Sequence, residues 1–240
     1  MYFGGLMATL DIILPVYNPL PGWEEIVIER FLSLENQLPE HQFQLIIVND
    51  GSSKMDEAAS VEKLKNNLPN LKWISYGVNK GKGYALRKGV QASNADFIIY
   101  TDIDWPYTEQ SMLGLFNELT NKADAVIGVR EESYYMHLPP ARRRIFSFLK
   151  KMNARFFKLK VHDTQAGLKG FRKNVKHIFL STSINRYLFD LEFIHLLSKN
   201  NDLVLQPFPV TLGPGITFSK MNRKILIQEG MNFLRVWLRR

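Results

Sequence analysis

Asp96–Asp104 reads DFIIYTDID, a strand signal over Asp96–Thr101 that runs straight into two carboxylates, Asp102 and Asp104. The same layout recurs upstream. Leu10–Val16 (LDIILPV) is apolar and stops at Tyr17-Asn18-Pro19, and Phe43–Val48 (FQLIIV) stops at Asn49-Asp50-Gly51. Leu71–Tyr76 reads as a third strand, followed by Asn79-Lys80-Gly81-Lys82-Gly83. Helical spacing fills the intervals at Trp23–Leu34, Asp56–Leu68, Lys82–Ala92 and Glu109–Leu119, and Ala123–Val129 (ADAVIGV) reads as a fifth strand. Short, predominantly apolar strands separated by helices of about 10–15 residues predict an α/β fold, with a mostly parallel sheet and helices on both faces. Ligands of such folds sit at the carboxyl ends of the strands.

The pattern changes after Arg130. His137-Leu138-Pro139-Pro140 is a break, and Arg142–Lys158 is a basic amphipathic stretch. Gly167–Phe171 reads as a short strand and Phe189–Ser198 as a helix. Leu203–Thr211 is extended, and its Pro207 and Pro209 suit an edge position. Gly213-Pro214-Gly215 is a loop, and Met221–Leu238 reads as a final basic helix. The expected organisation is one domain over 240 residues, with a strand–helix half (10–130), a second half (131–220) and a basic C-terminal helix (221–240).

Composition narrows the classes. Hydrophobic residues at 45% and charged residues at 22% exclude disorder and coiled coil. The absence of cysteine excludes disulfide scaffolds, thiolate nucleophiles and Cys-ligated metals. No segment reaches 18 consecutive apolar residues, and Met1–Leu10 lacks the charged n-region of a secretory signal. The net charge of +8 is unevenly spread. Residues 141–160 carry +8 and residues 220–240 carry +5, which leaves the remainder at −5. Such patches attract phosphates, nucleic acid or anionic lipid.

The polar residues at the strand ends are where chemistry is expected. Gly81-Lys82-Gly83-Tyr84-Ala85-Leu86 has Leu where a dinucleotide fingerprint needs its third Gly, and it follows the third strand instead of the first. Gly77 and Gly81 are too close for a phosphate-binding P-loop, and Gly83 stands where that loop has Ser or Thr. Asp102 and Asp104 can reach one hard divalent cation, Mg²⁺ or Mn²⁺, with a diphosphate leaving group completing the shell. An isolated Asp-x-Asp is more often a solvated turn. Asp50 on the neighbouring strand end moves the reading toward chemistry, with the third acid placed to read a nucleoside. Histidines 41, 137, 162, 177 and 195 show no metal-ligand spacing, and only His162, beside Asp163, draws notice.

The segments LPVYNP, IIVNDGSS, NKGKGYALRKGV, DFIIYTDID, AVIGVR, DTQAGLKGFRK and FDLEF occur in order across residues 10–193. Together they resemble the family 2 glycosyltransferases of the GT-A fold. The likeness is to the branch containing dolichyl-phosphate mannose synthase and bacterial polyprenyl-phosphate glycosyltransferases. The resemblance implies a Rossmann-like GT-A domain, a nucleotide-diphospho-sugar donor (a UDP- or GDP-sugar), a divalent metal and inversion at the anomeric carbon. It implies that Pro15, Tyr17, Asn18, Asp50, Gly51, Ser52, Lys82 and Asp102 hold the nucleotide-sugar, and that Asp102 and Asp104 bind the metal. Asp104 and Arg130 would act in catalysis, with Arg130 near the transferring sugar or the acceptor phosphate. Gln165, Lys169 and Arg172 fall in the family's GFK-type motif and, with Arg142, Arg143 and Arg144, would bind the acceptor. Two positions depart from the family pattern: Pro19 replaces an acid, and Pro106 stands where Gln is frequent.

In Arg142–Lys158, Ile145, Leu149, Met152 and Phe156 follow helical spacing, flanked by Phe146, Phe148 and Phe157. Such a stripe packs on a core or, with its acid-free basic face, lies at an anionic membrane surface. The expected protein is an inverting, metal-dependent glycosyltransferase with a polyprenyl or dolichyl phosphate acceptor. It would be cytoplasmic and peripheral on the membrane, with a membrane-anchoring partner subunit as a further expectation. One alternative is transfer to a saccharide hydroxyl, which needs a carboxylate base from among Asp163, Asp190 and Glu192. Another is a sugar-nucleotide-binding or lipid-surface module without turnover. Nucleic acid is not an expected partner, since no recognisable motif accompanies the basic patches.

Overall fold

The computed structural model describes residues 7–130 and 163–213, together with 151, 155–157, 159–161, 232, 233, 236 and 238. In chain order the elements are β1 (Thr9–Val16), α1 (Trp23–Gln37), β2 (Gln42–Asp50), α2 (Glu57–Asn67), β3 (Leu71–Tyr76), α3 (Lys82–Ala92) and β4 (Phe97–Tyr100). Then follow α4 (Glu109–Asn121), β5 (Ala125–Arg130), β6 (Lys169–Arg172), α5 (Lys176–Leu180), α6 (Phe189–Lys199) and β7 (Leu205–Val210). The strands form one sheet in the order β3-β2-β1-β4-β6-β5-β7. All pairs are parallel except those of β6, which runs antiparallel to both β4 and β5.

Apolar runs appear in these strands because both sheet faces are covered. Ile12 and Leu14 of β1 and Leu45 and Ile47 of β2 point to one side, where Val27, Phe31 and Leu34 of α1 and Leu115 and Leu119 of α4 meet them. Ile13, Ile46 and Val48 point to the other side, against Leu86 and Val90 of α3 and Phe189 and Phe193 of α6. This is the period-two alternation of a strand, with each face apolar. Local signals set the helix starts: Asp56 accepts from Ala59 N (3.1 Å) ahead of α2, and Thr108 from Ser111 N (3.3 Å) ahead of α4.

The expected edge strand is found at β7. Pro207 and Pro209 are two residues apart, so both missing N–H groups lie on one side, and that side faces away from β5. The short strand expected at Gly167–Phe171 is found as β6; its antiparallel direction and the short α5 go beyond the sequence reading. Of the two readings of the basic stretch, Phe157 follows the core one: it is buried, with its ring against Phe233 (5.2 Å) and His195 (5.0 Å). That end of the basic stretch therefore packs inward. Phe146, Phe148 and most of the 142–158 and 221–238 stretches lie outside the described residues.

Candidate active site

Because β1, β2, β3, β4 and β5 point the same way, their carboxyl ends share one rim. Val16 is in register with Asn49, Asp50 with Tyr76, and Ile13 with Tyr100. The chain steps from β1 toward β2 and β3, then crosses to β4 on the other side of β1. That reversal is the topological switch point at which open α/β sheets bind ligands. The rim carries Tyr17, Asn18, Asp50, Gly51, Ser52, Lys82, Asp102, Asp104 and Arg130.

The loops after β1 and β2 are tied together. Asn18, at φ 46°, accepts from Ser53 N (2.9 Å) and Lys54 N (3.0 Å), and its own N–H donates to Ser52 Oγ (2.9 Å). Asn49 Nδ2 donates to Glu57 (3.0 Å) and Ser75 Oγ (3.2 Å), while its oxygen accepts from Ser52 N (2.9 Å). At Gly51 (φ 70°) a β-carbon would lie 2.6 Å from Asn79 N, so only glycine lets the β2 and β3 loops meet. Tyr17 stays 51% exposed beside them, free to lie against a ligand.

Asp50 has a different task from the one expected. It is buried, and each carboxylate oxygen already accepts two hydrogen bonds. Oδ1 takes Tyr76 OH (2.9 Å) and Lys80 N (2.7 Å), and Oδ2 takes Asn79 Nδ2 (2.9 Å) and Gly81 N (2.8 Å). Those four donors fill the lone-pair sites of a carboxylate. Asp50 thus shapes the NKGKG loop, and in this geometry it has no acceptor capacity left for a nucleoside.

Asp102 and Asp104 sit in a tight turn closed by Trp105 N donating to Asp102 O (3.0 Å). Trp105 is held at φ 46° although bulky, a strain of about 1–3 kcal/mol of the kind concentrated at functional sites. Lys82 Nζ donates to Asp102 Oδ1 in an ion pair. Burial works to lower the Lys82 ammonium, but Asp102, then Asp190 and Asp104, outweigh it and raise its pKa. Desolvation, followed by the charge of Asp102, holds the Asp104 carboxyl above its ordinary value. Behind the turn, Gly167 approaches so closely that a β-carbon there would strike the Asp102 carboxylate, and Gly167 N donates to Tyr107 OH (2.8 Å).

Arg130 ends β5 on the same rim and grips Asp163. Its Nε and main-chain N donate to Oδ2 (both 2.9 Å) and its Nη2 to Oδ1 (2.7 Å). The two side chains are 5% and 9% exposed. Burial would raise the Asp163 carboxyl, but the Arg130 bonds and charge bring it below its ordinary value. Gln165 lies next to this pair, its N–H on Asp163 Oδ1 (3.0 Å).

Two residues expected to bind the acceptor are engaged within the protein. Lys169 has no exposed surface; its Nζ pairs with Asp190 (2.9 Å), which also accepts from Tyr100 OH (2.7 Å), and it donates to Ala166 O. Burial lowers its pKa. Arg172 pairs with Phe97, the first residue of β4, so it lies at the strand ends opposite the rim, roughly 10 Å from the Tyr100 end. There it donates to Leu119 O (2.9 Å), Ala123 O (3.0 Å) and Thr120 O (3.3 Å), capping the end of α4. Arg142, Arg143, Arg144 and His162 lie outside the described residues. The sequence reading missed Tyr76, Tyr100 and Tyr107, whose hydroxyls brace the site. Nothing local in the sequence marks them, because each partner is more than 25 residues away.

The family model for Glycosyl transferase family 2 matches residues 11–179, from β1 through α5, and so includes every strand end of the rim. The chain belongs to this family. Among relatives of this glycosyltransferase is a dolichyl-phosphate beta-glucosyltransferase of Trichomonas vaginalis, 24% identical over 98% of this chain and 74% of its own length. Among solved structures, mannosyl-3-phosphoglycerate synthase from Rubrobacter xylanophilus superposes with a TM-score of 0.63 at 14% identity, over 97% of this chain and 73% of that one. A mannosyltransferase from Pyrobaculum calidifontis, solved with GDP-Man and Mn²⁺, gives 0.56 at 14% identity, over 85% and 55%. These likenesses establish the GT-A architecture of the sheet and its helices.

Proposed function

We propose that this glycosyltransferase moves a sugar from a nucleotide-diphospho-sugar to a polyprenyl or dolichyl phosphate, with inversion and with the help of Mg²⁺ or Mn²⁺. The observation that carries the reading is the shared rim. The DxD turn and Lys82 stand at the β4 end, and a guanidinium stands at the β5 end, so the two anionic substrates can meet between them. The donor set suits a hard cation. Asp102 and Asp104 offer carboxylate oxygens side by side, and an ammonium already rests on Asp102. Among the described residues no group of three or more His, Asp or Glu is set to hold a metal. Two carboxylates plus substrate phosphates and water is the usual arrangement for Mg²⁺. When bound, the ion would offset the charge that builds on the departing diphosphate.

In this reading Tyr17, Asn18 and the Gly51–Ser52 turn line the nucleoside end, and Asp50 holds the NKGKG loop in place for it. Lys82 and Asp102 hold the diphosphate end, and Arg130 orients the acceptor phosphate for attack on the anomeric carbon. A phosphate acceptor has a second pKa of about 6, so at neutral pH it is a nucleophile without a base. Engagement of the candidate bases supports this acceptor over a saccharide hydroxyl. Asp163 is bound to Arg130 and Asp190 to Lys169 and Tyr100. Glu192 accepts from Ser183 N (2.9 Å), Ser183 Oγ (3.0 Å) and Ile184 N (2.8 Å). The name of the Trichomonas relative supports the same class of acceptor, and GDP-Man and Mn²⁺ in the Pyrobaculum enzyme support the donor and ion classes.

In this reading the protein works at a membrane surface, on the cytoplasmic face. Among the described residues no helix is long and apolar enough to cross a membrane, and the basic 142–158 and 221–240 stretches supply charge for a peripheral or partner-anchored attachment. The test is a transfer assay with UDP- and GDP-sugars, Mg²⁺ or Mn²⁺, and a short polyprenyl phosphate. Lipid-linked product, abolished by chelator, is the expected result. Transfer to saccharide hydroxyls with none to the lipid phosphate would overturn the acceptor assignment.

A further inference from the structure

Lys82 is the first residue of α3, and its main chain is fixed on both sides. Lys80 N and Gly81 N are held by Asp50 (2.7 and 2.8 Å), and Gly83 N by Asn185 O (2.8 Å). Motion at this position is left to the flexible four-carbon stem of the side chain. The ammonium sits on Asp102, a carboxylate of the proposed cation site, and this pair is partly exposed, with side-chain exposures of 19% and 40%. The neighbouring cation, Lys169, is wholly buried and locked to Asp190, so it cannot make the same move.

We propose that Lys82 is an exchange residue. In the cation-free protein its ammonium occupies Asp102 and offsets the repulsion between Asp102 and Asp104. With a divalent ion held by Asp102 and Asp104, the Lys82 ammonium would leave Asp102 and swing to the donor diphosphate. One side chain thereby couples cation binding to donor binding: it competes with the ion when the donor is absent and cooperates with it when the donor is present. The proposal rests on the metal-dependent reading above and adds a sign that reading does not contain.

The sign is measurable without turnover. Mn²⁺ alone is titrated into the full chain, and UDP and GDP are then titrated at saturating Mn²⁺. In Lys82→Met, Mn²⁺ alone should bind about three- to tenfold tighter, because a partly exposed ion pair of modest strength no longer has to be broken. The nucleotide should bind about tenfold weaker, having lost its ammonium partner. Lys82→Arg, which keeps the charge on Asp102, should leave Mn²⁺ affinity close to that of the unaltered protein. Unchanged or weaker Mn²⁺ binding in Lys82→Met would overturn the exchange. A second measurement uses the unaltered protein with ¹⁵N-labelled lysine. The Lys82 ammonium resonance should move as Mg²⁺ is added, and a fixed resonance at Mg²⁺ saturation would overturn the proposal. Binding of neither Mn²⁺ nor nucleotide by the unaltered protein would overturn the metal-dependent reading and the exchange with it. Normal binding there without the crossed effect in Lys82→Met overturns the exchange alone.

Discussion

Replacing Arg130 by Met tests the acceptor reading, but only when stability and transfer are measured together. Arg130 and Asp163 share three hydrogen bonds of 2.7–2.9 Å with side chains 5% and 9% exposed. Removing either partner strands a buried charge, at a cost of about 3–5 kcal/mol. For a chain of this length that is a drop in Tm of about 6–20 °C. Arg130→Met and Asp163→Leu should therefore both unfold early in urea and both lose transfer, so neither alone identifies a catalytic cation. The double variant Arg130→Met/Asp163→Asn separates the roles, since it removes both buried charges while the Asn oxygen remains an acceptor for the main-chain N of residue 130 or Gln165. It should regain most of the lost stability and still fail to transfer sugar to polyprenyl phosphate, while binding nucleotide normally. Recovery of both stability and transfer would refute the acceptor role of Arg130. Single-variant losses below about 1 kcal/mol would refute the buried-pair energetics. The pair also has a pH signature. The Asp163 carboxyl is depressed in the folded protein, so its contribution is fully present above the unfolded carboxyl value of about 3.9. That contribution is lost as pH falls through the folded value, and Asp163→Leu should flatten the acid limb of a stability–pH curve.

Asp104→Asn should reduce cation-dependent transfer by orders of magnitude with little change in Tm, because the side chain lies at the rim; full activity in excess chelator would remove the cation from the mechanism. Asp50→Ala should weaken nucleotide binding and also destabilise the fold by about 1–3 kcal/mol, since Lys80 N and Gly81 N lose their acceptor; lost affinity with unchanged stability, by calorimetry and urea titration, would restore Asp50 as a direct nucleoside contact. Arg172→Ala should lower stability by about 1–3 kcal/mol through the uncapped end of α4 and leave kcat and KM for the acceptor unchanged; a raised acceptor KM would contradict its place at the strand ends opposite the rim.

What was legible in the sequence divides along the range of the interactions. The strands β1–β5 and the helices between them announce themselves, because a parallel sheet buried on both faces needs wholly apolar runs such as LIIV in Leu45–Val48, and those runs end where the rim begins. The rim residues were legible for the same reason: polar side chains directly after an apolar run stand at its carboxyl end. Strand direction was not legible at Lys169–Arg172, since four residues fit a parallel or an antiparallel ladder equally well. Direction is what sends Arg172 to the strand ends opposite the rim. Nor does a sequence mark which charges are buried against each other. Asp50 and the NKGKG loop, Arg130 and Asp163, and Lys169 and Asp190 are separated by about 20–30 residues or more, and each pairing follows from β2, β5 or β6 bringing distant loops together at the rim. The consequence is chemical as well as architectural. Three residues that motif position alone casts as ligand contacts, Asp50, Lys169 and Arg172, are bound within the protein. The charges still disposed to exchange partners on the donor side of the rim are those of Lys82, Asp102 and Asp104, where the cation and the donor must compete for them.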